Sequence, residues 1–315
     1  MRKPLSCMSV ALALVLAGCG GGNNSADTGS TGNSAPSNAP ATGPSGMLNV
    51  KGSDTMVNLT QAWAETYMTQ HPGAQISVTG GGSGTGIAAL QNHTTDIAMA
   101  SRDIKSSEKE QIEKSGGSLQ DFTVARDALT VGVNPANPVK NLTFAQLSDI
   151  YTGKTTDWGQ VGGQPGKIVA LSREKSSGTH VFFLEHVVRM GNSKGTEEFA
   201  PTVLMLPSSQ AVVDEIAKNP NAIGYYGLGY HKPEKLKAVE VAAKAGDKFV
   251  APSEATVLDG SYPISRPLHL YTGKQPEGLA LAFIEYCAGA EGQKLVVEQG
   301  FVPVSKDASA AGTAK

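Results

Sequence analysis

Three short segments, "KGSDTM" (51–56), "GGGSGTGI" (80–87) and "REKSSGTH" (173–180), constrain the fold most strongly. Each places glycines and hydroxyls between a strand-like apolar run and an amphipathic stretch. Strands that repeatedly feed helices imply α/β architecture. In open α/β sheets, ligands bind at such junctions, beyond the carboxyl ends of the strands. Helix N-termini there offer unpaired N–H groups and a positive partial charge, which suits a tetrahedral oxyanion. Arg173 adds a guanidinium able to make a two-pronged contact. One such junction is ordinarily just a helix cap. Three of them with an arginine favour an anion site.

The rest of the chain follows the same scheme. Met56, Leu59, Trp63 and Tyr67 share a helical face, and His71-Pro72-Gly73 ends that helix. "FTVARDALTVGVNP" is a long β-rich run suited to crossing between lobes. "YPISRPLHLYTG" reads as a second crossing strand, with prolines at its edges. Thr143 and Gln146 form a capping-box pattern, Leu142 and Leu147 can staple it, and Gly153 stops the helix. Beyond Arg173, Ser177 is the expected N-cap of a helix that turns Val181, Leu184 and Val188 to one face and stops at Gly191.

At the N-terminus, Arg2 and Lys3 precede an apolar run ending in Leu16-Ala17-Gly18-Cys19. The run is too short to span a bilayer and reads as a signal peptide over residues 1–18. The Leu-Ala-Gly-Cys ending resembles a bacterial lipobox, which implies cleavage before Cys19 and diacylglycerol on its sulfur. Residues 19–46 are nearly all Gly, Ser, Asn, Ala, Pro and Thr, a flexible tether without the means to bury a core. The expected location is the periplasm or cell surface, anchored by lipid. Gly20 is not the aspartate associated with inner-membrane retention in enteric bacteria. With Cys7 removed and Cys19 acylated, Cys287 is left without a disulfide partner, and its apolar surroundings predict a buried, inert thiol.

Several functions are disfavoured. A net charge of -2 with no basic stripe argues against nucleic-acid binding. The six histidines show no metal-ligand spacing. "GTGIAA" fits the loose dinucleotide fingerprint, with Asp103 near the acidic position, but a secreted lipoprotein has little access to nicotinamide cofactors. Ser177 and His180 raise the question of a hydrolase, yet no orienting acid is evident. No catalytic residue, metal or cofactor is expected.

"GSDTM", "GGGSGTGI", "DIAMASRDI", "LTFAQLSDIYTGKTTDW", "REKSSGTH", "AIGYYGLGY" and "YPISRPLHLYT" occur here in an order that resembles the phosphate-binding proteins of the high-affinity phosphate ABC transporter. The resemblance spans about residues 47 to 304. It implies a type II periplasmic-binding-protein fold, two α/β lobes joined by two crossing strands, with the ligand in the cleft between them. One lobe is expected over 47–130 and 265–308, the other over 131–264, with a disordered tail at 309–315. The implied partners are inorganic phosphate, a membrane permease and, through Cys19, the bilayer, with the protein a monomer. Thr55 and Met56 match the family's first phosphate-contacting turn, which also holds Ser53 and Asp54. Ser83 matches the serine of the glycine-rich turn, and Arg173, Ser177, Gly178 and Thr179 match the Arg-x-x-x-Ser-Gly-Thr pattern.

At the third motif this chain departs from the longer members of the family. There an aspartate follows the serine and accepts the phosphate proton; here the order is Ser101-Arg102-Asp103, which resembles a shorter branch. Arg102 becomes a candidate anion contact, and Asp103, ahead of Asp54, the candidate proton acceptor. The alternatives are a receptor for sulfate, molybdate or tungstate, or a secreted hydrolase using Ser177.

Overall fold

The first motif sits where a parallel strand gives way to a helix, and the other two repeat that arrangement. A computed structural model describes residues 43–192 and 194–304. The expected signal peptide, Cys19, most of the expected tether and the 309–315 tail lie outside the described residues, all of which fall in one compact unit.

Chain order begins with β1 (Gly46–Gly52), α1 (Val57–Gln70), β2 (Ala74–Thr79), α2 (Ser83–Gln91), β3 (Ile97–Ala100) and α3 (Ser106–Lys114). Next come β4 (Gln120–Val133), β5 (Asn141–Thr143), α4 (Phe144–Tyr151), β6 (Val169–Arg173) and α5 (Gly178–Phe183). β7 (Leu204–Leu206), α6 (Ser209–Lys218), β8 (Ala222–Gly227), β9 (Lys237–Ala238), β10 (Glu240–Ala242) and α7 (Glu254–Leu258) follow. β11 (Ser265–Thr272), α8 (Gly278–Ala288) and α9 (Ala290–Glu298) close the described chain.

The principal sheet runs β2-β1-β3-β11-β4-β8-β6-β7, with β9 also on β4. β1 is parallel to β2 and β3, and β6 is parallel to β7 and β8, so each half carries the βαβ pattern that the motifs imply. The two halves meet through β4. Its Gln120–Ala128 stretch pairs antiparallel with β11, and from Leu129 onward it pairs with β8. The latter part of β4 is almost wholly buried, as expected of an apolar run covered on both faces. β11 also pairs with β3, carrying the chain back from the second half to the first.

Apolar burial follows the sequence periodicity. Met56, Leu59, Trp63 and Tyr67 are all buried, packing with Phe283 and Val296 from α8 and α9. A second cluster gathers Leu147, Tyr151, Phe183 and Tyr225. Thr143 and Gln146 form the reciprocal capping box, and Gly153 takes the left-handed conformation, φ 79°. Cys287 is buried, and burial pushes its thiol pKa well up. Among the described residues no helix is long and apolar enough to cross a membrane.

The helix after Arg173 differs from its expected phase. A π-helical turn at Leu184–Val188 follows α5, so Arg189 N–H reaches back five residues to the Leu184 carbonyl at 2.8 Å. Phe182, Phe183 and Val187 are buried beside Leu184 and Val188, while Val181 is only half-buried.

Candidate functional site

All three motifs converge. Thr55 lies in the turn between β1 and α1, Ser83 opens α2, and Gly178 and Thr179 open α5. Thr55 Oγ1 is 2.8 Å from Thr179 Oγ1, both buried. Ser83 Oγ accepts the Ser101 backbone N–H at 3.1 Å and lies 3.4 Å from Ser101 Oγ. A Cβ on Gly178 would collide with Ser83 Oγ and stand 2.8 Å from Ser101 Oγ, so glycine permits this approach. Three helix starts and the end of β3 thus meet in one buried polar cluster. N-terminal N–H groups and hydroxyl donors concentrated in this way suit an anion.

The halves also touch along the rim. Gly84 N–H donates to the Ser176 carbonyl at 2.9 Å, and Ser176 Oγ donates to the Gly81 carbonyl at 3.3 Å. Gly82 has φ 99°, and a Cβ there would press on the Ser176 carbonyl. These contacts join the two halves of the sheet beside the polar cluster.

Arg173 ends β6 with a side chain only 1% exposed. Its Nη1 lies 3.0 Å from Asp54 Oδ2 and donates to Ser209 Oγ at 2.8 Å, while Nη2 donates to the Pro207 carbonyl at 2.9 Å. Asp54 Oδ2 also accepts the Ser209 backbone N–H at 2.8 Å, and its main-chain carbonyl accepts from Tyr230 Oη at 3.0 Å. Burial and the nearby Asp54 charge both push the Tyr230 phenol pKa up.

Other expected residues take different places. Ser53 is buried and its hydroxyl has no hydrogen-bond partner. Met56 is a core side chain whose N–H closes the turn on the Ser53 carbonyl at 3.1 Å. Ser177 caps α5, its Oγ accepting from the N–H groups of Thr179 and His180. Nδ1 of His180 faces Ser172 Oγ at 3.1 Å, not Ser177. Arg102 turns to Glu108, donating through both terminal nitrogens at 2.8 and 2.7 Å, and leaves Nε buried without a partner. Asp103 stands apart from the cluster. Its side chain is 84% exposed, and its Oδ1 lies 3.2 Å from His269 Nε2.

Two further charged residues, outside the three motifs, belong to the cluster. Arg266 on β11 lies directly opposite Asp127 on β4, and both side chains are fully buried. Arg266 Nη2 is 2.8 Å from Asp127 Oδ2 and 3.0 Å from Thr179 Oγ1. Burial pulls the Arg266 pKa downward, opposed by the Asp127 charge and hydrogen bonds. The signal was present in the sequence. Both residues interrupt apolar strand-like runs, and a charge in a buried strand must have a partner.

Residues 34–291 match the family model described as a PBP superfamily domain. The phosphate-binding protein PstS of Pseudomonas aeruginosa is 35% identical over 286 residues, covering 85% of this chain and 86% of that protein. PstS of Bacillus subtilis is 33% identical over 303 residues, covering 96% and 93%. Among solved structures, a Clostridium perfringens protein with bound phosphate aligns with a TM-score of 0.72 at 31% identity, covering 82% of this chain and 100% of that one. An ABC-type phosphate transport receptor from Vibrio cholerae aligns with a TM-score of 0.65 at 32% identity, with coverage of 82% and 100%.

Proposed function

Because this chain belongs to the PBP superfamily and, within it, to the phosphate-binding proteins of the PstS type, we propose that its cleft captures inorganic phosphate for an ABC transporter. The observation that carries this reading is the meeting of Thr55, Ser83, Gly178 and Thr179 at three helix starts. Hydroxyls and N–H groups on three sides suit a tetrahedral ligand better than a planar carboxylate. Capture followed by release requires the halves to part and close, a hinge motion for which β4 and the segment entering β11 are the connecting elements.

Binding rather than chemistry is supported by the hydroxyl of Ser177, which serves as a helix cap while the His180 ring is directed at Ser172. The proposed ligand residues are Ser53, Thr55, Ser83, Ser101, Arg173, Ser177, Gly178 and Thr179; Met56 is committed to the core and to the Ser53 carbonyl, and Arg102 to Glu108, so neither is retained. We assign the proton-accepting role to Asp54, because its carboxylate lies beside Arg173 whereas that of Asp103 points to solvent. Outside the described residues, acylated Cys19 would hold the protein on the outer side of a bacterial membrane as a monomer that presents phosphate to its permease. Cys19→Ser should move the protein from the detergent phase to the aqueous phase with its melting temperature unchanged. Retention in the detergent phase would refute the anchor.

The test of ligand class is thermal. Phosphate at a thousandfold excess over its dissociation constant should stabilise the ligand-stripped protein by about 4 kcal/mol. A shift with sulfate or molybdate but none with phosphate would assign the cleft to another oxyanion.

A further inference from the structure

The Arg266–Asp127 pair does more than fill the space between two strands. Arg266 Nε and Nη2 donate to Asp127 Oδ2 at 3.1 and 2.8 Å. Nη1 donates to the Ser101 carbonyl at 2.9 Å, and Nη2 donates to Thr179 Oγ1 at 3.0 Å. Asp127 Oδ1 accepts the Leu228 N–H at 2.9 Å, which locks the carboxylate in turn. The Phe182 ring lies 5.5 Å from the guanidinium carbon. The cation is therefore held on several sides, and its direction is fixed.

A guanidinium has donors only, whereas a hydroxyl has one proton and two acceptor positions. Contact with Arg266 forces the Thr179 hydroxyl to act as the acceptor there. Thr55 Oγ1, 2.8 Å away, can donate to the second acceptor position of Thr179, which leaves the single Thr179 proton for the anion. The positive charge also makes that hydroxyl a stronger donor. The same guanidinium grips the carbonyl of Ser101, whose own N–H donates to Ser83. One cation thus ties the end of β3 to the start of α5, and through Thr179 to the turn before α1. Asp127 offsets its charge at longer range, so the pair sets geometry without adding net charge to the cleft.

We propose that Arg266, oriented by Asp127, is a positioning residue for phosphate capture, turning the Thr179 hydroxyl into a committed donor to the anion. The inference rests on the phosphate reading above. Removing Arg266 alone would strand a buried carboxylate, so the test variant replaces both charges together, Asp127→Asn with Arg266→Gln. Phosphate affinity is measured by calorimetry for the parent, this paired variant, Thr179→Val, and all three substitutions combined, with melting temperatures alongside.

The paired variant and Thr179→Val should each weaken phosphate binding at least tenfold. Combined, they should lose at least fivefold less than the product of the separate losses, because the pair acts through Thr179. Arg266→Lys should regain part of the affinity lost in the paired variant, since an ammonium can still donate to Thr179. Losses that simply multiply, or a paired variant that binds as the parent does, overturn the proposal. Should the paired variant fail to fold, Arg266→Lys alone decides, since it keeps a cation beside Asp127: phosphate binding weaker than the parent's at a near-parental melting temperature is expected, and parental affinity is contrary. A parent that binds no phosphate would remove the phosphate reading and this inference together. A parent that binds, with multiplicative losses, removes this inference only.

Discussion

Asp54 and Arg173 meet across the cleft, Oδ2 to Nη1 at 3.0 Å, although 119 residues separate them in the chain. Asp54 follows β1 and Arg173 ends β6, so the contact joins the two parallel halves of the sheet. The Ser209 N–H at the start of α6 donates to the same carboxylate oxygen. Arg173→Ala should weaken phosphate binding by about 2–5 kcal/mol, more than tenfold, as for a truncated buried charge contact. Ser177→Ala should cost less, about 1.5–3 kcal/mol for one hydrogen bond to a charged group. Calorimetric affinities for both variants check the order, and parental affinity in both would displace the site.

Gly178→Ala tests closure separately from folding. Alanine is a better helix former than glycine, so α5 itself should tolerate the change. The added methyl instead meets Ser83 and Ser101 from the opposing wall. The expected outcome is a near-parental melting temperature without ligand and phosphate affinity reduced at least tenfold. Undiminished affinity would mean that the walls do not approach this closely when phosphate is bound.

Selectivity separates the two aspartates named from the sequence. Near neutral pH phosphate keeps at least one proton and sulfate none. A carboxylate at the site accepts that proton, but with sulfate it faces an oxygen lone pair, which penalises the wrong ligand. Asp54→Asn should lower the phosphate-to-sulfate affinity ratio. Asp103→Asn should leave it unchanged, because that side chain is 84% exposed and faces His269. The reverse pattern would return the role to Asp103.

Stability should fall with acid in two stages. Burial pushes the pKa values of His180 and His231 below 6.5, opposed only in part by the Arg173 backbone and Glu198 for His180 and by Glu234 for His231. Both rings therefore stay neutral in the fold after the unfolded chain has begun to protonate. Their contribution is complete above about pH 6.5 and declines as the pH drops towards their lower folded values. Further down, burial raises the Glu108 pKa, but hydrogen bonds from Arg102 and Lys105 outweigh it and leave the carboxyl below its usual 4.5. Its share is present above that value and is lost as the pH falls through the folded one. Melting temperature followed from pH 7.5 to 5.5 should show a shallower slope in His180→Gln than in the parent. Parallel slopes would rule out His180 as a source.

What the sequence made legible was local. A cap such as Ser177, a capping box such as Thr143 with Gln146, and hydroxyls between a strand and a helix depend on neighbours a few residues away. Arg266 and Asp127 are 139 residues apart and acquire meaning only when β11 and β4 fall into register. The direction of Asp103 was hidden for a related reason. Its partner His269 arrives on β11, and one step along the turn decides whether a side chain enters the cleft or leaves it. The π turn after α5 forms without any glycine or proline to announce it.

The most direct measurement is calorimetric titration of the ligand-stripped protein, first with phosphate and then with sulfate. A cleft built from three helix starts and closed by Arg173 and Asp54 predicts one saturable phosphate isotherm, with sulfate at least tenfold weaker. Equal or tighter binding of sulfate, or no heat with phosphate where molybdate binds, would contradict the account.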